Sequence, residues 1–255
     1  MTGQVSVAGL GPGHEAQITP EVSAALAGAT DVLGYIPYVA RIAPRPGLVL
    51  HASDNREELG RARAALDLAA QGRRVVIVSS GDPGVFAMAS ALFEAVEATG
   101  RTDIDIRILP GITAMLAAAA RAGAPLGHDF CAINLSDNLK PAALVEHRLR
   151  HAARGDFAMA FYNPRSASRP DGFGRALQIL REECGPGRLV VFARAVSTPE
   201  ERLAITTLAE ARPEMADMRT VVLVGNSHTR RVGGWVYAPR SATVSAPASD
   251  PEGDA

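Results

Sequence analysis

The sequence predicts an α/β fold: two α/β units, each with a mostly parallel central sheet covered by helices. Three observations carry this. Short β-branched runs alternate with amphipathic, helix-length stretches along most of the chain. Nearly every run ends in glycines or small polar residues. Of the 255 residues 47% are hydrophobic but only 5% aromatic, a composition that suits an α/β protein.

Residues 5–9 (VSVAG) read as a strand and LGPG as the turn after it. Thr19 and Pro20 look like an N-cap and a first helical proline, with Glu21 in the first turn of a helix reaching about residue 28. DVLGY (31–35) and GLVLHAS (47–53) read as strands. A charged amphipathic helix follows over about 56–71, ended by Gly72. Residues 75–79 (VVIVS) form a buried strand that runs into Ser79-Ser80-Gly81-Asp82-Pro83-Gly84, with a helix expected at once and lasting to about 99. IDIRIL (104–109) alternates as a half-buried strand before Pro110-Gly111.

An Ala-rich helix over 113–121 then leads into GAPLGHDF (123–130), the candidate crossing between domains. The second half repeats the style with FCAINL (130–135), a helix over 141–153, FAMAFY (157–162), a helix over 174–184 and LVVFAR (189–194). A short helix at 208–210, TVVLVG (220–225) and GGWVYAP (233–239) complete it. This divides the chain into domains 1–115 and 116–240, with 241–255 read as a disordered tail.

Charge is balanced, with 26 basic and 27 acidic residues, which argues against nucleic acid or an anionic membrane as partner. The apolar runs are too short to span a bilayer, and MTGQVSVAGLGPG enters a strand and loop with no leader pattern. Cys131 and Cys184 read as two reduced thiols of a cytoplasmic protein.

Gly9-Leu10-Gly11-Pro12-Gly13-His14 begins like a dinucleotide fingerprint but has histidine where the third glycine belongs. Asp31 precedes the second strand instead of closing it, so NAD is disfavoured. A tight turn needs one or two of these glycines; three in five residues point to a ligand-facing loop. G-x-x-x-x-G-K-[ST], G-x-S-x-G, H-E-x-x-H and paired CxxC are all missing. His147 and His151 share a helix face with Arg148 and Arg150 around them, which reads as a solvated face and not a metal site.

What remains is a series of strand ends rich in glycine or small polar residues: 9–13, 34–35, 79–84, 110–114, 134–138, 162–165, 194–197 and 225–227. In open parallel sheets ligands bind beyond the carboxyl ends of the strands. Asp82 either accepts a hydrogen bond from a ligand or caps the following helix. With no nucleophile, base pair or metal set in view, the pattern fits chemistry carried by a cofactor that the protein positions.

The ordered set GLGPG (9–13), GYIPY (34–38), SSGDPGVF (79–86), PGITA (110–114), CAINLSDNL (131–139), AFYNPRS (160–166) and VGNSHT (225–229) resembles the tetrapyrrole methylases, S-adenosylmethionine-dependent enzymes of corrin and sirohaem synthesis. The resemblance covers about residues 4–238. It implies two α/β domains with the cofactor in the cleft between them, a homodimer, and a tetrapyrrole as small-molecule substrate. By motif, the implied cofactor contacts are Pro12, Gly81, Asp82, Pro83, Val85, Thr113, Ala114 and Tyr162. Ala195, where relatives carry glycine, and Asn226 complete them.

YNPRS, LSDNL and VGNS are similar to the branch that methylates precorrin-3B at C17 and contracts the ring to precorrin-4. His128, Asp137, Tyr35 and Tyr162 are then candidates for moving or orienting the C20 hydroxyl proton. Gly11, Gly13, Asn163, Arg165, Arg169 and Arg194 are candidate substrate contacts, the arginines because a guanidinium fork matches a carboxylate. The alternatives are the cobalt-factor III version of the same step, a methylase acting at C11 or C20, and, outside catalysis, a tetrapyrrole-binding carrier.

Overall fold

The computed structural model describes residues 3–241, so the expected tail lies outside the described residues from 242 onward. The described residues form two compact units: 3–118 with Ala193–Leu203 and Arg219–Val221, and Ala119–Phe192 with Ala204–Met218 and 222–241. The two later returns to the first unit were not visible in the sequence.

The first unit carries β1 (Gln4–Gly9), α1 (Pro20–Gly28), β2 (Asp31–Tyr35), α2 (Ile36–Val39), β3 (Val49–Ser53), α3 (Glu58–Ala70), β4 (Arg74–Ser79), α4 (Met88–Thr99), β5 (Asp105–Leu109) and the first half of α5 (Ala114–Ala122). Its strands lie in the order β3-β2-β4-β1-β5, every neighbouring pair parallel. Both faces are covered, which is why β4 reads as an unbroken β-branched run. Val76 and Val78 pack with Val22 of α1 on one face. Val75 and Ile77 pack with Leu66 of α3 and Leu92 of α4 on the other. Each such fully buried side chain contributes about 2 kcal/mol.

Local signals place the helix ends. Thr19 Oγ1 accepts the Val22 N–H, with Pro20 in the first turn of α1. Gly100 closes α4 in the left-handed region at φ 67°. The helix expected directly after Gly84 starts only at Met88, because Phe86 is left-handed at φ 53° and lengthens the loop.

The second unit holds β6 (Gly123–Ala124), β7 (Phe130–Asn134), α6 (Ala142–Arg154), β8 (Ala158–Tyr162) and α7 (Gly172–Glu183). Most of β9 (Leu189–Arg194), β10 (Arg202–Thr207) and β11 (Thr220–Val224), and all of β12 (Arg230–Val232) and β13 (Trp235–Tyr237), follow. The order is β10-β9-β11-β8-β7, with a small β12-β13-β6 sheet beside it in the chain's element order. β7 and β8 are parallel, but β11 runs antiparallel to β8. Gly225 N–H donates to Leu189 O and Ala195 N–H to Arg219 O, which pairs opposite ends of β9 and β11 and makes them antiparallel too. Residues 202–207, unassigned from sequence, form β10. The helix expected at 208–210 is instead a turn, and a single 3₁₀ turn occupies Pro213–Met215.

The core of this unit joins Leu149 of α6, Phe173, Leu177 and Leu180 of α7, and Phe161 and Phe192 of the sheet. Arg150 and Arg154 both bond Glu183, tying α6 to α7. Cys131 and Cys184 are free thiols, and burial pushes both up. No helix among the described residues is long and apolar enough to cross a membrane.

Candidate active site

The neighbouring strands β1 and β4 send their following helices to opposite faces of the first sheet, which opens a crevice at their carboxyl ends. The loops there are built main chain against main chain. Leu10 N–H donates to Ser79 O at 2.8 Å, and Gly11 and Gly81 exchange hydrogen bonds at 3.2 and 2.9 Å. Gly11 and Gly81 are both left-handed, at φ 66° and 65°. A Cβ on Gly9 would stand 2.5 Å from Gly81 O, and one on Gly111 only 2.2 Å from the same atom. Three glycines from three loops therefore share one small volume, and no larger residue fits. The loops after β1, β4 and β5, legible in the sequence as separate glycine knots, form one junction.

Asp82 holds that junction. Its Oδ1 accepts the Gly84 N–H at 2.8 Å and its Oδ2 the Gly111 N–H at 3.0 Å. It does not cap α4, which begins six residues later and has no side-chain cap. Pro83 and Thr113 are buried; Pro12, Val85 and Ala114 are half-buried around it.

The turn after β9 joins this cluster within the first unit. A Cβ on Gly13 would meet Ser197 O at 2.6 Å and Thr198 Cγ2 at 2.7 Å. Ala195 is left-handed at φ 47°, a backbone that glycine adopts freely and alanine only under strain. Ser197 is left-handed as well, and its buried hydroxyl has no hydrogen-bond partner. Arg194 faces Glu200 at 3.8 Å.

The segment after β2 was only partly legible. Tyr35, at the strand end, meets Tyr38 edge to face at 5.3 Å. Tyr38 hydrogen-bonds Ser80; burial pushes its phenol up, with Tyr35 adding to this, while Arg41 and Arg61 oppose it. Arg41 Nη2 donates to Leu10 O at 2.9 Å and Gly13 O at 3.1 Å. Arg61, 5% exposed, donates to Ser53 Oγ, Asp54 O and Met88 Sδ. Tyr38 lay inside a quoted motif and Ser197 closed one of the strand ends singled out in the sequence, but Arg41 and Arg61 had nothing to mark them.

In the second unit the ends of β7 and β8 meet. Asn163, left-handed at φ 51°, donates from Nδ2 to Asn134 Oδ1 at 3.1 Å, and the Leu135 N–H bonds Tyr162 O at 2.9 Å. Arg169 reaches Asn163 O at 3.4 Å and stands 3.9 Å from Asp137. Lys140, unremarked in the sequence, donates to Asn134 O. Arg165 is half-buried and donates to Pro170 O at 3.3 Å.

Two candidates are not brought to this group. His128 precedes β7, beyond the strand's about 13 Å from Phe130 to Asn134, and its neighbour is Asp129 at 3.7 Å. Asn226 follows β11, whose antiparallel register puts Val224 opposite Met159 and so sends Asn226 off the edge opposite Tyr162. Its Oδ1 accepts the His228 N–H and the Thr229 hydroxyl within its own turn. Listing strand ends as if all shared one edge fails at this strand. Among the described residues no group of three or more His, Cys, Asp or Glu is placed to hold a metal.

A parallel sheet with convergent main-chain loops at its switch point defines a small-molecule-binding α/β enzyme. The chain belongs to the tetrapyrrole (corrin/porphyrin) methylases, whose family profile matches residues 4–212. It is an S-adenosylmethionine-dependent methyltransferase. It is 50% identical over 248 residues to a precorrin-3B C(17)-methyltransferase of Sinorhizobium sp, covering 94% of this chain and 97% of that one. It is 38% identical over 242 residues to a probable cobalt-factor III C(17)-methyltransferase of Salmonella typhimurium, covering 94% and 100%. The crystal structure of a methyltransferase named CobJ superposes with a TM-score of 0.92 at 74% identity, covering 93% of this chain and 100% of that one.

The first unit fits the cofactor of that family. The partnerless Ser197 hydroxyl beside Gly13 suits a polar adenosyl group, since a buried hydroxyl without a bond is costly. The Gly9–Gly81–Gly111 junction presents main chain where side chains would stand in the way.

Proposed function

We propose that this chain methylates precorrin-3B at C17 and carries through the ring contraction that yields precorrin-4. The observation that carries the reading is the convergence of the Gly9–Gly13, Gly81–Gly84 and Gly111–Thr113 loops on one crevice of the first sheet. The likeness to the Sinorhizobium enzyme named for that reaction supports the substrate.

Pro12, Gly81, Asp82, Pro83, Val85, Thr113, Ala114 and Ala195 are the proposed cofactor contacts in the first unit, joined by Ser197. When bound, S-adenosylmethionine supplies an electrophilic methyl group. Asp82 keeps the loops in register by holding Gly84 and Gly111. Preorganised main chain costs no rearrangement when the reactants meet. Gly11, Gly13 and Arg194 in the first unit, and Asn163, Arg165 and Arg169 in the second, are the proposed substrate contacts.

Contraction requires the C20 hydroxyl to lose its proton as the carbon migrates and C20 leaves the ring as part of an acetyl group on C1. Tyr35, Asp137 and Tyr162 are the proposed groups for that proton. His128 is set aside because of its place at the far end of β7.

Incubation with precorrin-3B and methyl-deuterated S-adenosylmethionine tests the reading. Label at C17 of a contracted ring is the expected result; no transfer beside an active control enzyme overturns it. A second reading, cobalt-factor III as substrate, is favoured by the likeness to the Salmonella enzyme, and the same experiment with that substrate separates the two. A cytoplasmic homodimer belongs to the proposal. Val232 and Trp235, both more than half exposed, offer apolar surface for it, and sedimentation equilibrium gives the mass.

A further inference from the structure

Most arginines that bond side chains here face an acid: Arg73 meets Asp31, Arg150 meets Glu182 and Glu183, and Arg175 meets Glu146. Two arginines at the carboxyl edge of the first sheet do not. Arg61 is buried with only neutral acceptors, the Ser53 hydroxyl, the Asp54 carbonyl and the Met88 sulfur. Arg41 is half-buried, and its Nη2 is held by the Leu10 and Gly13 carbonyls that bracket Gly11 and Pro12. Its Nε and Nη1 donors have no protein partner among the described residues. Glu15 acts on it through its charge but forms no ion pair. Burial works against the charge of both groups and pulls both below the usual arginine range.

Glu58 and Glu57 support the charge of Arg61, as Glu15 does that of Arg41, but neither guanidinium has a carboxylate in direct contact, so the edge still has room for one beside Arg41. The field of both acts on Tyr38, whose phenol bonds Ser80 in the Ser79–Gly84 loop. Arg61 is enclosed and contributes field alone. Arg41 has a free edge, fixed in orientation by two main-chain bonds, and a guanidinium edge is the shape that takes a carboxylate through two parallel hydrogen bonds.

We propose that Arg41, seated on the Leu10 and Gly13 carbonyls and in no ion pair, is a docking residue for a carboxylate side chain of the tetrapyrrole, in the field of the buried Arg61. This rests on the tetrapyrrole reading of the site but not on which tetrapyrrole is methylated. The geometry distinguishes Arg41 from Arg194 and Arg169, each of which already faces an acid at 3.8 to 3.9 Å.

The test is equilibrium binding of uroporphyrin, an octacarboxylate tetrapyrrole, followed by porphyrin fluorescence with wild type, Arg41→Gln and Arg41→Lys. Binding of S-adenosylhomocysteine is measured on the same samples by calorimetry. Loss of one charged, forked hydrogen bond is expected to weaken uroporphyrin about tenfold or more in Arg41→Gln. Arg41→Lys, which keeps the charge but not the fork, is expected to lose several-fold less. Raising salt from about 0.05 to 0.3 M is expected to weaken wild type more than Arg41→Gln, because one charge contact is gone.

Unchanged uroporphyrin binding in Arg41→Gln overturns the proposal. So does an equal loss of S-adenosylhomocysteine affinity, which would make Arg41 a brace of the glycine loop and nothing more. If Arg41→Gln does not fold, Arg41→Lys decides: a loss confined to the tetrapyrrole supports docking, and none refutes it. Failure of wild type to methylate precorrin-3B would count against the proposed reaction while leaving this binding result standing.

Discussion

In the first unit all five strands run one way, so the loops after β1, β4 and β5 leave the same edge and can meet. In the second sheet β11 runs against its neighbours, so the residues after it leave the other edge from those after β7 and β8. Two stretches that look alike in sequence, SSGDPG after VVIV and VGNSHT after TVVL, thus have different fates. Gly81 and Asp82 lie in a three-loop junction, while Asn226 closes a turn on itself. A glycine-rich strand end is a ligand signal only once strand direction is known.

The comparison is broken or sharpened most strongly at the junction. Gly111→Ala places a Cβ 2.2 Å from Gly81 O, against main chain that has no room to move, and is expected to cost about 3 kcal/mol and most cofactor binding. Denaturant unfolding and S-adenosylhomocysteine calorimetry measure both; a variant like wild type would mean the three loops are not held together.

Asp82→Asn keeps the shape but turns one acceptor into a donor facing an N–H, either Gly84 or Gly111. About 1–3 kcal/mol of loss is expected, seen chiefly as weaker S-adenosylhomocysteine binding. Unaltered affinity would remove Asp82 from the site.

Asn226→Ala is the counterpart at the opposite edge. It should cost about 1 kcal/mol of stability through its lost turn bonds, with cofactor affinity unchanged within about twofold. A tenfold loss of affinity would put Asn226 back among the cofactor contacts.

The smallest effect is expected at Glu183, far from either set of loops. Hydrogen bonds from Arg154 and Arg150 lower its pKa from 4.5 to about 2. Because the folded pKa is the lower one, its stabilisation is complete above about 4.5 and is lost as pH falls toward 2. Glu183→Gln should therefore have a flatter acid limb in that window, converging with wild type at its foot. The difference is expected to be small because Arg154 is 62% exposed and ion pairs open to solvent contribute little. Parallel acid-unfolding curves would remove the pair from the stability of α6 and α7.

Much of this architecture was readable without coordinates. Thr19-Pro20 marked the start of α1, Gly72 the end of α3, and the burial of β4 was written in VVIV. Local structure of this kind depends on a residue and its near neighbours, and so does each glycine knot. The start of α4 was misjudged because Phe86 takes a left-handed backbone that nothing in its side chain requires. β10 was missed because RLAITT opens on an exposed arginine and has only weak alternation.

The chain by itself determined the α/β alternation, the positions of the glycine loops and the motif set that marks a tetrapyrrole methylase, since all of these are patterns along one dimension. Only the tertiary structure decided that Gly9, Gly81 and Gly111 share one volume, that Asp82 ties two loops and not a helix, and that β11 turns Asn226 away. It also decided that Arg41 reaches the carbonyls of Leu10 and Gly13, 31 and 28 residues before it, without forming an ion pair. The reason is physical. Strand direction and the pairing of a buried charge are set by which distant segments pack together, and no local propensity records that choice.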